Sequence, residues 1–304
     1  MAPIQFLESN EEGYVGWGEL SLEGHTQEVE GCFDAYTQRV KARKLDVPIY
    51  QLPGGTARNA IKVYAWIGGD RPNDCSKGQQ AQSFKAVKMN GIEDLGWLDS
   101  PSLLQGYVNR LKTVKSLGMD AGIDFHGRVH RPMAKQLVYL LEPHQPMFIE
   151  EPLLSENIEG FKAISQQTST PIDLGERLHS RWEVKPLLEP GAVDIIQPDV
   201  YVALAPPRPL GPISLAARVQ VDACTANLAI QDMSLGIHYN VGTEDLTSYT
   251  KNPEVWNVKN VYLDLSTGPK LGIEIDEEWV RKSSKGAEPW VSPGFAGPGG
   301  EVRE

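Results

Sequence analysis

The chain is 304 residues long, room for one large domain or two modest ones, and its 40 acidic against 29 basic side chains give a formal charge of −11. With no run rich in Lys or Arg, that charge leaves no basic footprint for neutralising phosphates or docking on an anionic membrane, which argues against nucleic acid and membrane surfaces as partners. At 40% hydrophobic and 8% aromatic residues, the chain can bury a sizeable core.

The three cysteines, Cys32, Cys75 and Cys224, form neither a CxxC pair nor a zinc spacing, as expected of a reducing compartment, with the cytoplasm as default. The first residues lack the basic and apolar regions of a signal peptide. No window approaches 18 apolar residues, so no membrane span is expected.

In chain order, residues 14–19 (Tyr-Val-Gly-Trp-Gly-Glu) read as a strand with glycines in it, and a polar helical stretch follows from about residue 26 to 40. Paired prolines and glycines at 48–55 punctuate the chain and place a boundary there. Beyond it, short apolar runs ending in polar residues recur at 61–67, 84–88, 119–124, 147–150, 171–176 and 193–199. Helical patterns lie between them. Leu103, Leu104, Tyr107, Leu111, Val114 and Leu117 recur at spacings of three and four, as do Met133, Leu137, Leu140 and Leu141 after Pro132. Strands alternating with helices imply a parallel sheet, and this many units point to a (β/α) barrel rather than an open sheet, whose usual GxGxxG signature is missing. The tail from residue 283, rich in Gly, Pro, Ser and charge, is expected to lack regular structure.

Three acids close three successive predicted strands: Asp124, Glu150 and Glu176. The intervals are equal, 26 residues each (150 − 124 and 176 − 150), about one strand-loop-helix-loop unit. Neighbouring barrel strands converge at one mouth, so acids one unit apart meet in space. Like charges gathered there repel unless a cation sits among them, and Mg²⁺ suits hard oxygen ligands better than zinc would. Asp199 closes the next run, 23 residues on (199 − 176). His126, two residues beyond Asp124, points to the same side if the backbone is extended, where a histidine serves as general acid or base; a solvent-facing loop histidine is the competing reading.

These strings together resemble the enolase superfamily, and within its mandelate racemase subgroup the D-galactonate dehydratase family. The resemblance is carried by Gly16-Trp-Gly-Glu19, Tyr64-Ala-Trp-Ile-Gly-Gly-Asp-Arg-Pro72, Ala86-Val-Lys-Met-Asn-Gly91, Asp124-Phe-His-Gly-Arg128, Phe148-Ile-Glu-Glu-Pro152, Gly175-Glu-Arg177, Gln197-Pro-Asp199, Pro209-Leu-Gly-Pro212 and Ser234-Leu-Gly-Ile-His-Tyr-Asn240. It implies a modified (β/α)₇β TIM-like barrel beneath a small N-terminal α+β capping domain, and Mg²⁺-assisted loss of water from a sugar acid through an enolate. It also implies Asp124, Glu150 and Glu176 as metal ligands, His126 as the acid that protonates the departing hydroxyl, and Asp199 as the partner of a histidine base. Asp232 stands where the family has a glutamate that steadies the enolate; one methylene shorter, it reaches about 1.3–1.5 Å less far, and a misplacement near 1 Å can cost on the order of 100-fold. Relatives suggest a symmetric homo-oligomer.

The chain departs from its family at the base. Where relatives have Leu-Ala-Pro-His-Cys-Pro-Leu-Gly-Pro, residues 204–212 read Leu-Ala-Pro-Pro-Arg-Pro-Leu-Gly-Pro, with Pro207 in the histidine's place. Only residues 200–203 separate Asp199 from that segment, too few for the helix and strand that should intervene. Further gaps fall near residue 40 and at the N-terminus. The expected organisation is therefore a cap remnant over 1–55, a barrel over 56–265 lacking one strand-helix unit near 200–204, a return toward the cap over 266–282 and the tail 283–304. Both domains are incomplete. Three outcomes are consistent with this: an impaired sugar-acid dehydratase, a catalytically dead or splice-altered relative, or a dehydratase or racemase using another base such as Lys88. His179 and His238 are weaker candidates for the base.

Overall fold

The computed structural model describes residues 5–11, 14–20, 41–42, 44–68, 72–91, 95–96, 98–178, 181–197, 211–233, 247–283, 285, 295–296 and 302–303. Two strands, β1 (Gln5–Glu11) and β2 (Tyr14–Leu20), form an antiparallel pair running from Gln5 opposite Leu20 to Glu11 opposite Tyr14. The sequence signals β2 but not β1, whose residues QFLESNE carry little β-branched or aromatic character.

The main sheet then alternates strand and helix. In order come β3 (Ala60–Trp66), α1 (Pro72–Ala81), β4 (Ala86–Asn90), α2 (Pro101–Ser116), β5 (Asp120–Asp124), α3 (Arg131–Leu141) and β6 (Ile149–Glu150). These are followed by α4 (Ile158–Ser165), β7 (Ile172–Leu174), α5 (Arg181–Leu188), β8 (Ile195–Ile196), α6 (Pro212–Cys224) and β9 (Gln231–Met233). Strands β3 to β8 pair in sequence order, all parallel, and β9 returns to pair in parallel with β3. First and last parallel strands are thus neighbours, as barrel architecture requires. Among the described residues no pairing joins β8 to β9; the expected gap near 200–204 lies outside them.

The two faces of β3 show why the strands are apolar almost throughout. Ile61, Val63 and Ala65 are buried in the main hydrophobic core, while Tyr64 and Trp66, also buried, point the other way. The helices supply the outer half of that core. In α2, Ser100 caps the N-terminus by accepting from the Ser102 amide at 3.3 Å, Pro101 occupies the first turn, and Leu104, Val108, Leu111 and Val114 face the sheet. Leu103, expected on that face, is 51% exposed. In α3, Met133, Ala134, Leu137, Val138 and Leu141 make the inward stripe.

A C-terminal hairpin, β10 (Val258–Lys259) and β11 (Tyr262–Asp264), adds to β3 in antiparallel fashion. β3 therefore shares its length: residues 60–62 pair with β11 and residues 63–65 with β9. Beyond α7 (Glu277–Ser283), inside the tail expected to lack regular structure, β12 (Phe295–Ala296) pairs with β13 (Val302–Arg303). No helix among the described residues is long and apolar enough to cross a membrane.

Candidate active site at the strand ends

Strand register builds the site. Asp124, the last residue of β5, stands opposite Glu150 of β6, and Glu150 stands opposite Asp173 of β7. All three are buried, at 1%, 0% and 0% exposure. Glu176 lies two residues past the end of β7, beyond Gly175, and is half-buried. Gly175 is required there. Its φ is +151°, and a Cβ would meet the Gln197 backbone at 2.5 Å, so any side chain would push β7 off β8 and carry Glu176 with it.

Lys88 of β4 occupies the centre of this acidic ring. Its Nζ lies 2.7 Å from Glu150 Oε2 and 3.0 Å from Glu150 Oε1, with Asp232 Oδ2 at 3.5 Å and Asp124 Oδ2 at 3.8 Å. The ammonium also sits over the Trp66 ring, 5.3 Å from its centroid. Burial pulls the Lys88 pKa down, but Glu150, Tyr64, Asp232 and Asp124 outweigh it and leave the group well above its ordinary value. Asp232, on β9 opposite Tyr64 of β3, is thereby brought to the same ring.

Gln197, just after β8, organises the floor. Its amide donates to Asp173 Oδ2 and, at 3.4 Å, to Glu150 Oε2, while its carbonyl oxygen accepts from the Tyr64 hydroxyl at 3.4 Å. Burial raises Glu150 well above the carboxylate range, and Asp124 adds to the rise against the opposing pull of Lys88. Asp173 is likewise raised, by burial first.

His126 is reached differently from expectation. The backbone is not extended: His126 has φ +53° and Gly127 φ +64°, both left-handed. The turn is held because the His126 amide donates to Asp124 Oδ1 at 2.8 Å and the His126 carbonyl accepts from Arg177 Nη2 at 2.9 Å. Arg177 Nε in turn donates to Glu151 Oε2 at 3.2 Å. The imidazole still meets Asp124, with Nε2 at 3.2 Å from Oδ2, and its ring stands edge-on to Trp66 at 5.7 Å. It is 8% exposed, which sets aside the solvent-facing alternative.

The structure thus gathers Asp124, Glu150 and Asp232 around Lys88 and sets His126 against Asp124, with Glu176 close enough for its charge to act on Glu150, Glu151 and Asp173. Asp199, Pro207, His179 and His238 lie outside the described residues. Sequence reasoning missed Asp173 and Glu151. Asp173 sits inside its apolar run rather than at the end; Glu151 hides beside Glu150, and only its place in an acidic doublet before Pro152 signals it.

The donor set suits a hard divalent cation. It is carboxylate oxygen with no thiolate, the acids raise one another's pKa, and Glu151 Oε1 and Asp173 Oδ1 are buried without hydrogen-bond partners. Among the described residues, however, no three His, Cys, Asp or Glu groups are drawn together closely enough to chelate an ion.

Parallel strands whose ends carry acids on successive units define an enzyme of the enolase type, and residues 73–203 match the Enolase C-terminal domain-like family. An enolase from Agrobacterium radiobacter, crystallised with sodium and L-malate, superposes with a TM-score of 0.82 over 99% of this chain and 96% of its own at 24% identity. An enolase from Pantoea ananatis, with D-gluconate and magnesium bound, gives 0.71 over 89% and 77% at 22% identity. The D-galactonate dehydratase of Ralstonia nicotianae is 35% identical over 97% of this chain and 94% of its own. The chain belongs to the D-galactonate dehydratase family of the enolase superfamily, a family of hydro-lyases. That alignment runs over 360 positions, so at least 360 − 304 = 56 of them have no residue here.

Proposed function

We propose that the chain is a Mg²⁺-dependent sugar-acid dehydratase of the D-galactonate type whose turnover is reduced by the loss of its base. The observation that carries the reading is the register that sets Asp124 opposite Glu150 at the strand ends, with His126 Nε2 3.2 Å from Asp124. The 35%-identical D-galactonate dehydratase supports the substrate class, and the neighbour that holds D-gluconate and magnesium supports the cofactor.

Asp124, Glu150 and Glu176 would hold the ion. Bound there, Mg²⁺ would ligate the substrate carboxylate and stabilise the charge that develops as the C2 proton leaves. His126 holds the proton delivered to the departing C3 hydroxyl, its ring aimed by Asp124 and by the turn that Arg177 clamps. Asp232 presents its carboxyl from β9 to the same ring, 3.5 Å from Lys88, and the buried Tyr64 and Trp66 of β3 keep water from the floor. Asp199, in the family's pattern, would orient a histidine base, but Pro207 can neither accept a proton nor pair with it.

Lys88 is not favoured as the substitute base. Both oxygens of Glu150 grip its ammonium, and the surrounding acids keep it charged.

The test is direct. With Mg²⁺, the chain should convert D-galactonate to its 2-keto-3-deoxy product about 10³-fold more slowly than a complete relative, with no product after chelation of the metal. Turnover at the relative's rate, or turnover indifferent to chelation, would overturn the reading; no product at any concentration would favour the catalytically dead alternative.

A further inference from the structure

We propose that Lys88 is a tethered counter-cation, which fills the acidic ring when no metal is bound and which a divalent ion must displace from Glu150. The inference rests on the metal reading above but concerns the metal-free chain.

Three observations support it. Both carboxylate oxygens of Glu150 are engaged by one ammonium, at 2.7 and 3.0 Å, and Oε2 also accepts from Gln197 at 3.4 Å. A divalent ion that takes Glu150 shares this carboxylate with the ammonium, and two cations on one buried carboxylate repel each other. Next, Lys88 is 1% exposed, as are Asp124 and Asp232, with Glu150 at 0%, so the pairs are unscreened and each acid would face its neighbours uncompensated without the ammonium. Finally, Lys88 cannot swing into solvent without leaving the Trp66 face at 5.3 Å, so the ammonium is kept local and able to return when the ion departs. The site then has two forms, one closed on lysine and one open to metal.

The experiment compares the full chain with Lys88→Met, Glu150→Gln and the double variant, using thermal melts in chelator and MgCl₂ and calorimetric titration with MgCl₂ alone. In chelator, Lys88→Met should melt on the order of 5–10 °C below the parent, and Glu150→Gln should largely relieve that loss, because a neutral amide needs no counter-charge. Lys88→Met should bind Mg²⁺ roughly tenfold or more tighter than the parent and gain correspondingly more melting temperature from it. Should Lys88→Met fail to fold in chelator, folding on addition of Mg²⁺, or in the double variant, supports the proposal equally. If the parent binds Mg²⁺ and Lys88→Met binds it no tighter, the counter-cation idea falls while the metal reading stands. A loss that persists undiminished in the Glu150→Gln background assigns Lys88 to packing and overturns the idea as well. If no variant binds Mg²⁺, the metal reading fails and this inference fails with it.

Discussion

Asp124 holds His126 twice: one carboxylate oxygen accepts from the histidine's backbone amide at 2.8 Å and the other lies 3.2 Å from its imidazole Nε2. One carboxylate therefore fixes both the left-handed turn and the ring that the turn presents. His126→Asn should lower kcat for D-galactonate by about 10²-fold or more with KM little changed, since the ring delivers a proton and does not bind substrate in the ground state. Steady-state kinetics at high enzyme concentration checks it; a rise in KM at constant kcat would make His126 a binding residue.

Gly175 offers a second test, this time of architecture. Alanine there must adopt φ near +151° with its Cβ against the Gln197 backbone, and backbone cannot rotate aside as a side chain can. Gly175→Ala should cost about 2–3 kcal/mol in urea unfolding, and it should weaken Mg²⁺ binding because Glu176 follows directly. Alanine at Gly118, which has φ +73° but nothing within 4 Å, should cost only the backbone strain.

Away from the site, Asp222 on α6 is 1% exposed, and burial pushes its pKa up to about 7 although Arg218 and Arg58 pull it down. The folded chain thus holds this proton more tightly than the unfolded one, whose carboxyl titrates at an ordinary value near 4. The stability from this group is complete below about pH 4 and is lost as pH rises toward 7, by on the order of a few kcal/mol. Urea titrations at pH 4.5 and 8 should show Asp222→Asn flattening that decline. An unchanged slope would place the pH dependence elsewhere.

Restoring the base residue alone should not restore the enzyme. On the proposed reading, Pro207→His should leave turnover within about tenfold of the parent, because only residues 200–203 separate Asp199 from residues 204–212, fewer than a strand-helix unit needs. A gain of 10³-fold in the same assay would show that the shortened segment already presents the position correctly.

Much of the architecture is legible in the amino-acid order because parallel strands are apolar on both faces. The runs at 61–67, 119–124 and 147–150 therefore stand out, and their terminal acids with them. Asp124 and Glu150 are visible for that reason, and strand register then brings them together. Asp173 is not visible: it points inward from within its strand, and only the register with Glu150 shows that it shares the ring. The place of Lys88 is similarly hidden, since a lysine in an apolar run reads as a strand end until its neighbours across four strands are known. For His126 the residue is recognised but the route is not, because a left-handed turn held by Arg177 and Asp124 has no periodic signature.

The divided pairing of β3 bears on how the chain is made. This strand appears early, at residues 60–66, yet its partners on one edge are β9 and β11, at residues 231–233 and 262–264. During synthesis, β3 through β8 can assemble in order as they emerge, each new strand adding to the last. The free edge of β3 waits for 231 − 66 = 165 further residues before β9 begins, with Ile61, Val63 and Ala65 beside unpaired backbone groups. Pairing along this edge of β3 is thus the most non-local in the described sheet, and a chain stopped short of residue 231 would lack both partners of that edge.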